Sequence, residues 1–98
     1  MKLEECRRQI DELDASIVAL LNRRAMLARK IGRIKLLAGL PIIDPEREEM
    51  VLRRIINKNS GAIDDQALAR LYREILNESR RIQNDLAGEV TAVREITK

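Results

Sequence analysis

Along residues 3–37, apolar side chains recur at Leu3, Cys6, Ile10, Leu13, Ile17, Leu20, Leu27, Ile31 and Ile34. The gaps are mostly three or four residues, so these positions form one stripe along a helix. No proline interrupts the stretch, and Gly32 is its one glycine. The pattern predicts a first helix over 3–38, stopped by Gly39 with Pro41 two residues later. At about 1.5 Å per residue such a helix runs roughly 50 Å. That is longer than one compact globule of 98 residues needs. Much of the stripe is therefore expected to meet a second copy of itself.

The pattern changes at Asp44-Pro45-Glu46, where a second helix over 45–58 is expected. Asp44 caps it, Pro45 takes the first helical position, and Glu46 and Glu48 suit the positive end of its dipole. Val51, Leu52, Ile55 and Ile56 form its apolar face, and residues 57–61 end it. A third helix is expected over 65–87, capped by Asp64 or Asp65. Leu68, Leu71, Tyr72, Ile75, Leu76, Ile82 and Leu86 mark its buried side. Gly88 weakens it there, and the spacing over 89–98 does not choose between more helix and a frayed end. The fold class is all-α, one domain over 1–98, with three helices of which the first is very long.

Composition sharpens this. Tyr72 is the sole aromatic in the chain, so the core is aliphatic and thin, and association is the usual remedy. Cys6 stands alone on the apolar stripe and reads as a small core residue, consistent with a reducing cytoplasm. With no histidine, a zinc site and Ser-His chemistry are not expected, nor is any metal or cofactor. No apolar run reaches the ~20 residues of a membrane helix, and the charged start of the chain is no signal peptide. The formal charge of +3 is mild and its residues are interleaved, without aromatics for base stacking. Neither nucleic acid nor membrane is an expected partner.

Several polar residues sit where the pattern asks for apolar ones. Arg24 occupies the stripe position between Ile17 and Ile31. A guanidinium there needs an anion, or else must snorkel or pair with a carboxylate on a neighbouring helix. Lys35 returns to nearly the same face, three turns and about 16 Å further on. Arg47 and Glu48 lie on the side of Val51, Leu52 and Ile55, and also read as a solvated first turn with a local ion pair. Ser79 and Gln83 fall in line with Tyr72, Ile75 and Leu86. Arg7 is roughly 25 Å from Arg24 along the helix, so it does not easily share a site with Lys35 in the same chain, but an antiparallel second chain could bring it there. Together these residues describe a cation-rich polar pocket in an aliphatic bundle, suited to a small dicarboxylate. The set holds no nucleophile–base pair and no phosphate-cradling glycine loop, which leaves orientation and electrostatic stabilisation. A unimolecular rearrangement needs only those.

Five spaced motifs then carry a resemblance: Arg7-Arg8-Gln9-Ile10-Asp11-Glu12-Leu13-Asp14, Leu20-Leu21-Asn22-Arg23-Arg24, Ile31-Gly32-Arg33-Ile34-Lys35, Asp44-Pro45-Glu46-Arg47-Glu48 and Glu78-Ser79-Arg80-Arg81-Ile82-Gln83. In this order the chain resembles the all-α class of chorismate mutases. The resemblance implies an intertwined homodimer with paired long helices and two equivalent sites. It implies the Claisen-type rearrangement of chorismate to prephenate in aromatic amino-acid biosynthesis. By that resemblance, Arg24 and the other chain's Arg7 bind the two carboxylates. Lys35 and Gln83 donate to the ether oxygen. Glu48 holds the ring hydroxyl with help from the Asp44 backbone, and Arg47 and Ser79 complete the contacts.

Three other readings compete. An isochorismate-pyruvate lyase on the same fold would need the same grip on two carboxylates, but Gln83 and the full motif set favour the mutase. A non-catalytic metabolite-sensing dimer would be expected to have lost Lys35 or Gln83. In a plain coiled-coil scaffold, Arg24→Leu would be harmless or stabilising, without loss of function. The start at Met1 and the end soon after the third helix suggest a free-standing enzyme or an excised domain.

Overall fold

A computed structural model describes residues 2–96. It has three helices: α1 (Leu3–Ala38), α2 (Pro45–Lys58) and α3 (Asp65–Ile96). Local chemistry sets the ends. Gly39 adopts a left-handed conformation at φ 69°, and Leu40 N–H reaches back to the Lys35 carbonyl at 2.8 Å, closing α1 as a Schellman turn. The Asp44 carboxylate accepts from the Arg47 N–H at 3.1 Å and Pro45 follows it as the first residue of α2. Asp64, not Asp65, caps α3, accepting from the Ala67 N–H at 2.8 Å.

The third helix, whose course past Gly88 the spacing left open, runs on to Ile96. Gly88 is exposed and costs the helix about 1 kcal/mol relative to alanine. Leu86 is buried, Ala87 and Val90 are half-buried, and Glu89 pairs with Arg29 of α1 at 3.3 Å, so tertiary contacts outweigh the glycine.

Helix α3 packs on both other helices, while α1 and α2 do not pack on each other. Leu21 and Ala25 lie beside Ile75 and Ser79, and Gly32 lies against Gln83, so α1 and α3 advance in the same sense and α2 carries the chain back. The crossing is close because small residues make it. Ala28 and Gly32 are the buried residues of α1. A Cβ on Gly32 would stand 2.9 Å from Gln83 Cγ and 3.3 Å from its Cα.

The molecule is long for its size. It measures 65 × 28 × 16 Å, with a radius of gyration of 17.7 Å, against ~13 Å for a compact domain of this length. The core is small: Ala28, Ala69, Leu76 and Leu86. The apolar stripe read from the sequence is almost wholly exposed in the single chain, and every residue of 7–23 is exposed. Leu71, expected on the buried side of α3, is also exposed; it lies about a third of a turn or more from the row Ala69, Leu76, Gln83 that faces inward. Among the described residues, no helix is long and apolar enough to cross a membrane.

Candidate functional site

The polar residues that broke the apolar pattern gather where α1 crosses α3. Gln83 is the one buried polar side chain among the described residues, with 7% of its surface exposed. Its position follows from Gly32, whose missing side chain lets the two helices meet at that level. The Lys35 ammonium donates to Gln83 Oε1 at 3.2 Å and to the Ile42 carbonyl at 2.8 Å. Lysine is a donor only, so it fixes which end of the amide faces it. The Gln83 NH2 is thereby turned away from Lys35, and among the described residues it donates to nothing. One ammonium hydrogen is also left over. Two donors of different kinds, one cationic and one neutral, are thus held side by side by α1, α3 and the linker.

One turn earlier on α3, Ser79 Oγ accepts from Arg24 Nη1. The Ser79 hydroxyl spends its own proton on the Ile75 carbonyl at 3.2 Å, which makes it an acceptor toward Arg24. The Arg24 guanidinium also lies 5.9 Å from the centroid of Tyr72. Serine and aromatic ring together steer a half-buried cation while leaving most of its N–H fork unused. Arg24 and Ser79 line a cleft of about 310 Å³ with Leu21, Asn22, Ala25, Glu74, Ile75, Glu78 and Ile82. Lys35, Gln83 and Glu48 do not line it. The single chain therefore offers two neighbouring halves of a site rather than one closed pocket.

The remaining expected residues are placed less tightly. Glu48 is half-buried and stands 3.1 Å from Arg80 Nε of α3, so its carboxylate already has a cationic neighbour. The side chain of Asp44 is engaged in capping α2. Arg47 contributes its backbone N–H to that cap, and its side chain is exposed. Arg7 is exposed near the start of α1 and pairs with Glu4 at 3.7 Å; the chain does not bring it to the other residues.

Four contributors escaped the sequence reading. Gly32 permits the crossing, the Ile42 carbonyl holds Lys35, Tyr72 lies near Arg24, and Arg80 meets Glu48. A signal existed for Arg80: it follows Leu76 by four residues, which puts a charge beside the apolar face of α3.

Chemically, the arrangement presents oriented cations and an amide, with one acceptor carboxylate on α2. It can grip an anion and stabilise charge developing on an oxygen.

Known proteins share this arrangement of helices. Chorismate mutase from Helicobacter pylori, solved in complex with prephenate, aligns with a TM-score of 0.80 and 33% identity, covering 89% of this chain and 94% of that one. The form II structure of chorismate mutase from Thermus thermophilus aligns at 0.83 and 31% identity, over 86% of this chain and 96% of that one. In sequence, a bifunctional chorismate mutase/prephenate dehydratase from Aquifex aeolicus is 44% identical over 80 residues, 78% of this chain and 22% of that protein. A chorismate mutase from Methanocaldococcus jannaschii is 30% identical over 91 residues, 90% of each chain. The chain spans about a fifth to a quarter of the length of the bifunctional relatives it matches. The family model of chorismate mutase type II matches residues 6–84, which takes in all five motifs, and with it the chain belongs to that family.

Proposed function

We propose that this chain is a chorismate mutase that converts chorismate to prephenate by orientation and electrostatic stabilisation alone. The observation that carries the reading is the Lys35–Gln83 pair: the Lys35 ammonium donates to Gln83 Oε1 at 3.2 Å, which orients the amide and leaves donor hydrogens to spare on both groups. In this rearrangement the ether C–O bond breaks as a C–C bond forms within one molecule, and negative charge builds on the ether oxygen. A cation and an amide aimed at that oxygen bind the transition state better than the substrate. Arg24 grips one carboxylate, with Ser79 behind it, and Arg47 approaches from α2. Glu48 accepts from the ring hydroxyl, beside the Asp44 backbone. Together these contacts hold the folded shape in which the reacting carbons approach.

The second carboxylate falls to Arg7 of the partner subunit in an intertwined homodimer. The exposed stripe on α1 supports this, since Leu3, Ile10, Leu13, Ile17 and Leu20 would otherwise present a long apolar face to water. A radius of gyration well above that of a compact chain supports it too. The free, half-buried Cys6 fits a reducing compartment such as the cytoplasm.

The test is turnover by the chain itself, followed by loss of chorismate and appearance of prephenate. Isochorismate serves as the second substrate, and release of pyruvate from it at a higher kcat/KM than chorismate turnover would replace this reading. Gln83 is an amide and has no proton to gain before it can donate. Accordingly, kcat/KM should stay level between about pH 6 and about pH 8; a steep loss across that range would point to a different donor.

A further inference from the structure

The ion pair between α2 and α3 has no part in the scheme above. Glu48 is the acceptor in a site meant for a molecule with two carboxylates. An unneutralised carboxylate there would repel the ligand it is to hold. Arg80 answers this charge: its Nε lies 3.1 Å from Glu48 Oε2, with both side chains mostly shielded from solvent, at 38% and 25% exposed. The Arg80 guanidinium is anchored from behind as well, since its Nη2 donates to Asn77 Oδ1 one turn earlier on α3. Arg80 Nε is sealed from solvent and has no aligned acceptor, although the carboxylate is in reach. The contact is therefore one of charge more than of directed hydrogen bonding, and the Glu48 oxygens keep lone pairs free. The other ion pairs of the described residues either lie within one helix on the surface or join α1 to α3.

We propose that Arg80 is a positioning residue: it holds the Glu48 carboxylate in place and cancels its charge, so that Glu48 accepts a substrate hydroxyl without repelling a dianion. This rests on the chorismate mutase reading. It assigns Arg80 an effect on binding exerted through Glu48, with no contact to the reacting atoms.

The experiment has two arms, both on the full chain. In the first, the 15N-labelled protein is observed without ligand, at the Arg80 Nε–H signal. The expected result is a signal that shifts in Glu48→Gln, because the carboxylate charge lies 3.1 Å from that nitrogen. A signal indifferent to Glu48 overturns the proposal, whatever the protein catalyses. In the second, Arg80→Met is assayed with chorismate. Its KM should rise about tenfold, with kcat changed less than about threefold, and the difference should shrink as salt is added. Arg80→Lys should recover much of the KM. In the Glu48→Gln background the same Arg80→Met change should cost less than about twofold, because the charge it cancels is gone. An unchanged KM in Arg80→Met, or a full tenfold loss still present in the Glu48→Gln background, overturns the role. If the unsubstituted chain does not turn chorismate over, the functional reading fails and the catalytic part of this inference fails with it; the first arm still decides whether Arg80 holds Glu48.

Discussion

The two halves of α1 are made of similar residues and meet opposite fates. From Arg24 onward, the helix presents Ala25, Ala28, Gly32 and Lys35 to α3, and these are buried or half-buried. Before Arg24 its large apolar residues, Leu13 among them at 61% exposed, touch little within the chain. Even in the packed half, Leu27, Ile31 and Ile34 point away from α3. The intrachain contact is made by small residues and the large ones are left over. Small residues permit a close crossing that holds Gln83 in place, and large ones provide area for association. The same helix thus carries the candidate site along one face and, in the proposed homodimer, offers an interface along another.

The harshest way to break this comparison is to charge the exposed half. Leu13→Glu with Ile17→Glu places two carboxylates on the open stripe, about one turn apart. No contact of α3 is touched, so helicity should hold in circular dichroism. The proposed homodimer should dissociate, seen by sedimentation, and chorismate turnover should fall to background if each site borrows Arg7 from the partner. A monomer that retains turnover would show that the packed half suffices and would remove the borrowed arginine from the scheme.

Next in size is a change inside the packed half that spares the interface. Lys35→Ala removes the cationic donor while leaving Gln83 in place. If the ammonium acts as one strong oxyanion donor, kcat should fall about 10²–10³-fold, equivalent to ~3–4 kcal/mol. Sedimentation should still report the same oligomer. A loss confined to KM would mean that Lys35 grips a carboxylate in ground and transition states alike.

These two outcomes bear on how much was readable in the chain. Helix ends were legible because their causes are local: Gly39 before Pro41, and Asp44 before Pro45, act within one turn. The candidate site residues showed up as polar misfits on apolar faces, and the structure pairs Lys35 with Gln83 and Arg24 with Ser79. The face that α1 turns to α3 was not legible. Hydropathy weights Leu27 and Ile31 above Ala28 and Gly32, yet the small residues make the contact. Leu71 misled in the same way. The Glu48–Arg80 pair was hidden because it joins two helices and no spacing along one helix encodes it. Helix α3 passed Gly88 because Leu86 and the Arg29–Glu89 pair act across helices, beyond the reach of local propensity.

A gentler probe of the packed half is Gly32→Ala. The new Cβ would stand 2.9 Å from Gln83 Cγ, and the side chain alone has limited freedom because Gln83 Cα is only 3.3 Å away. The helices must part slightly, at a cost of roughly 1–3 kcal/mol. Thermal unfolding should report that loss. Turnover should drop as well, because Gln83 and Lys35 sit on opposite sides of the widened gap. A variant as stable as the parent would mean that this crossing is looser than its geometry implies.

The smallest effect is expected at the rim of the cleft, where the contrast between the two halves fades. Glu78 lines that cleft beside Arg24 and Ser79, yet it is exposed. Hydrogen bonding to Arg81 is the main cause that holds its carboxyl below the usual carboxylate range, and the charge of Arg81 adds to this. A lowered folded value means that its contribution to stability is present at neutral pH and disappears as pH falls through the acid range. Because the pair is open to water, that contribution is screened and small. Arg81 also engages Asp85 at 2.9 Å, so the guanidinium keeps a partner when Glu78 is neutralised. Glu78→Gln should therefore leave the melting temperature at neutral pH within error and change KM for chorismate by less than about twofold. A large fall in KM would mean that Glu78 had been repelling the substrate at the mouth, and would extend the site outward to include the whole cleft.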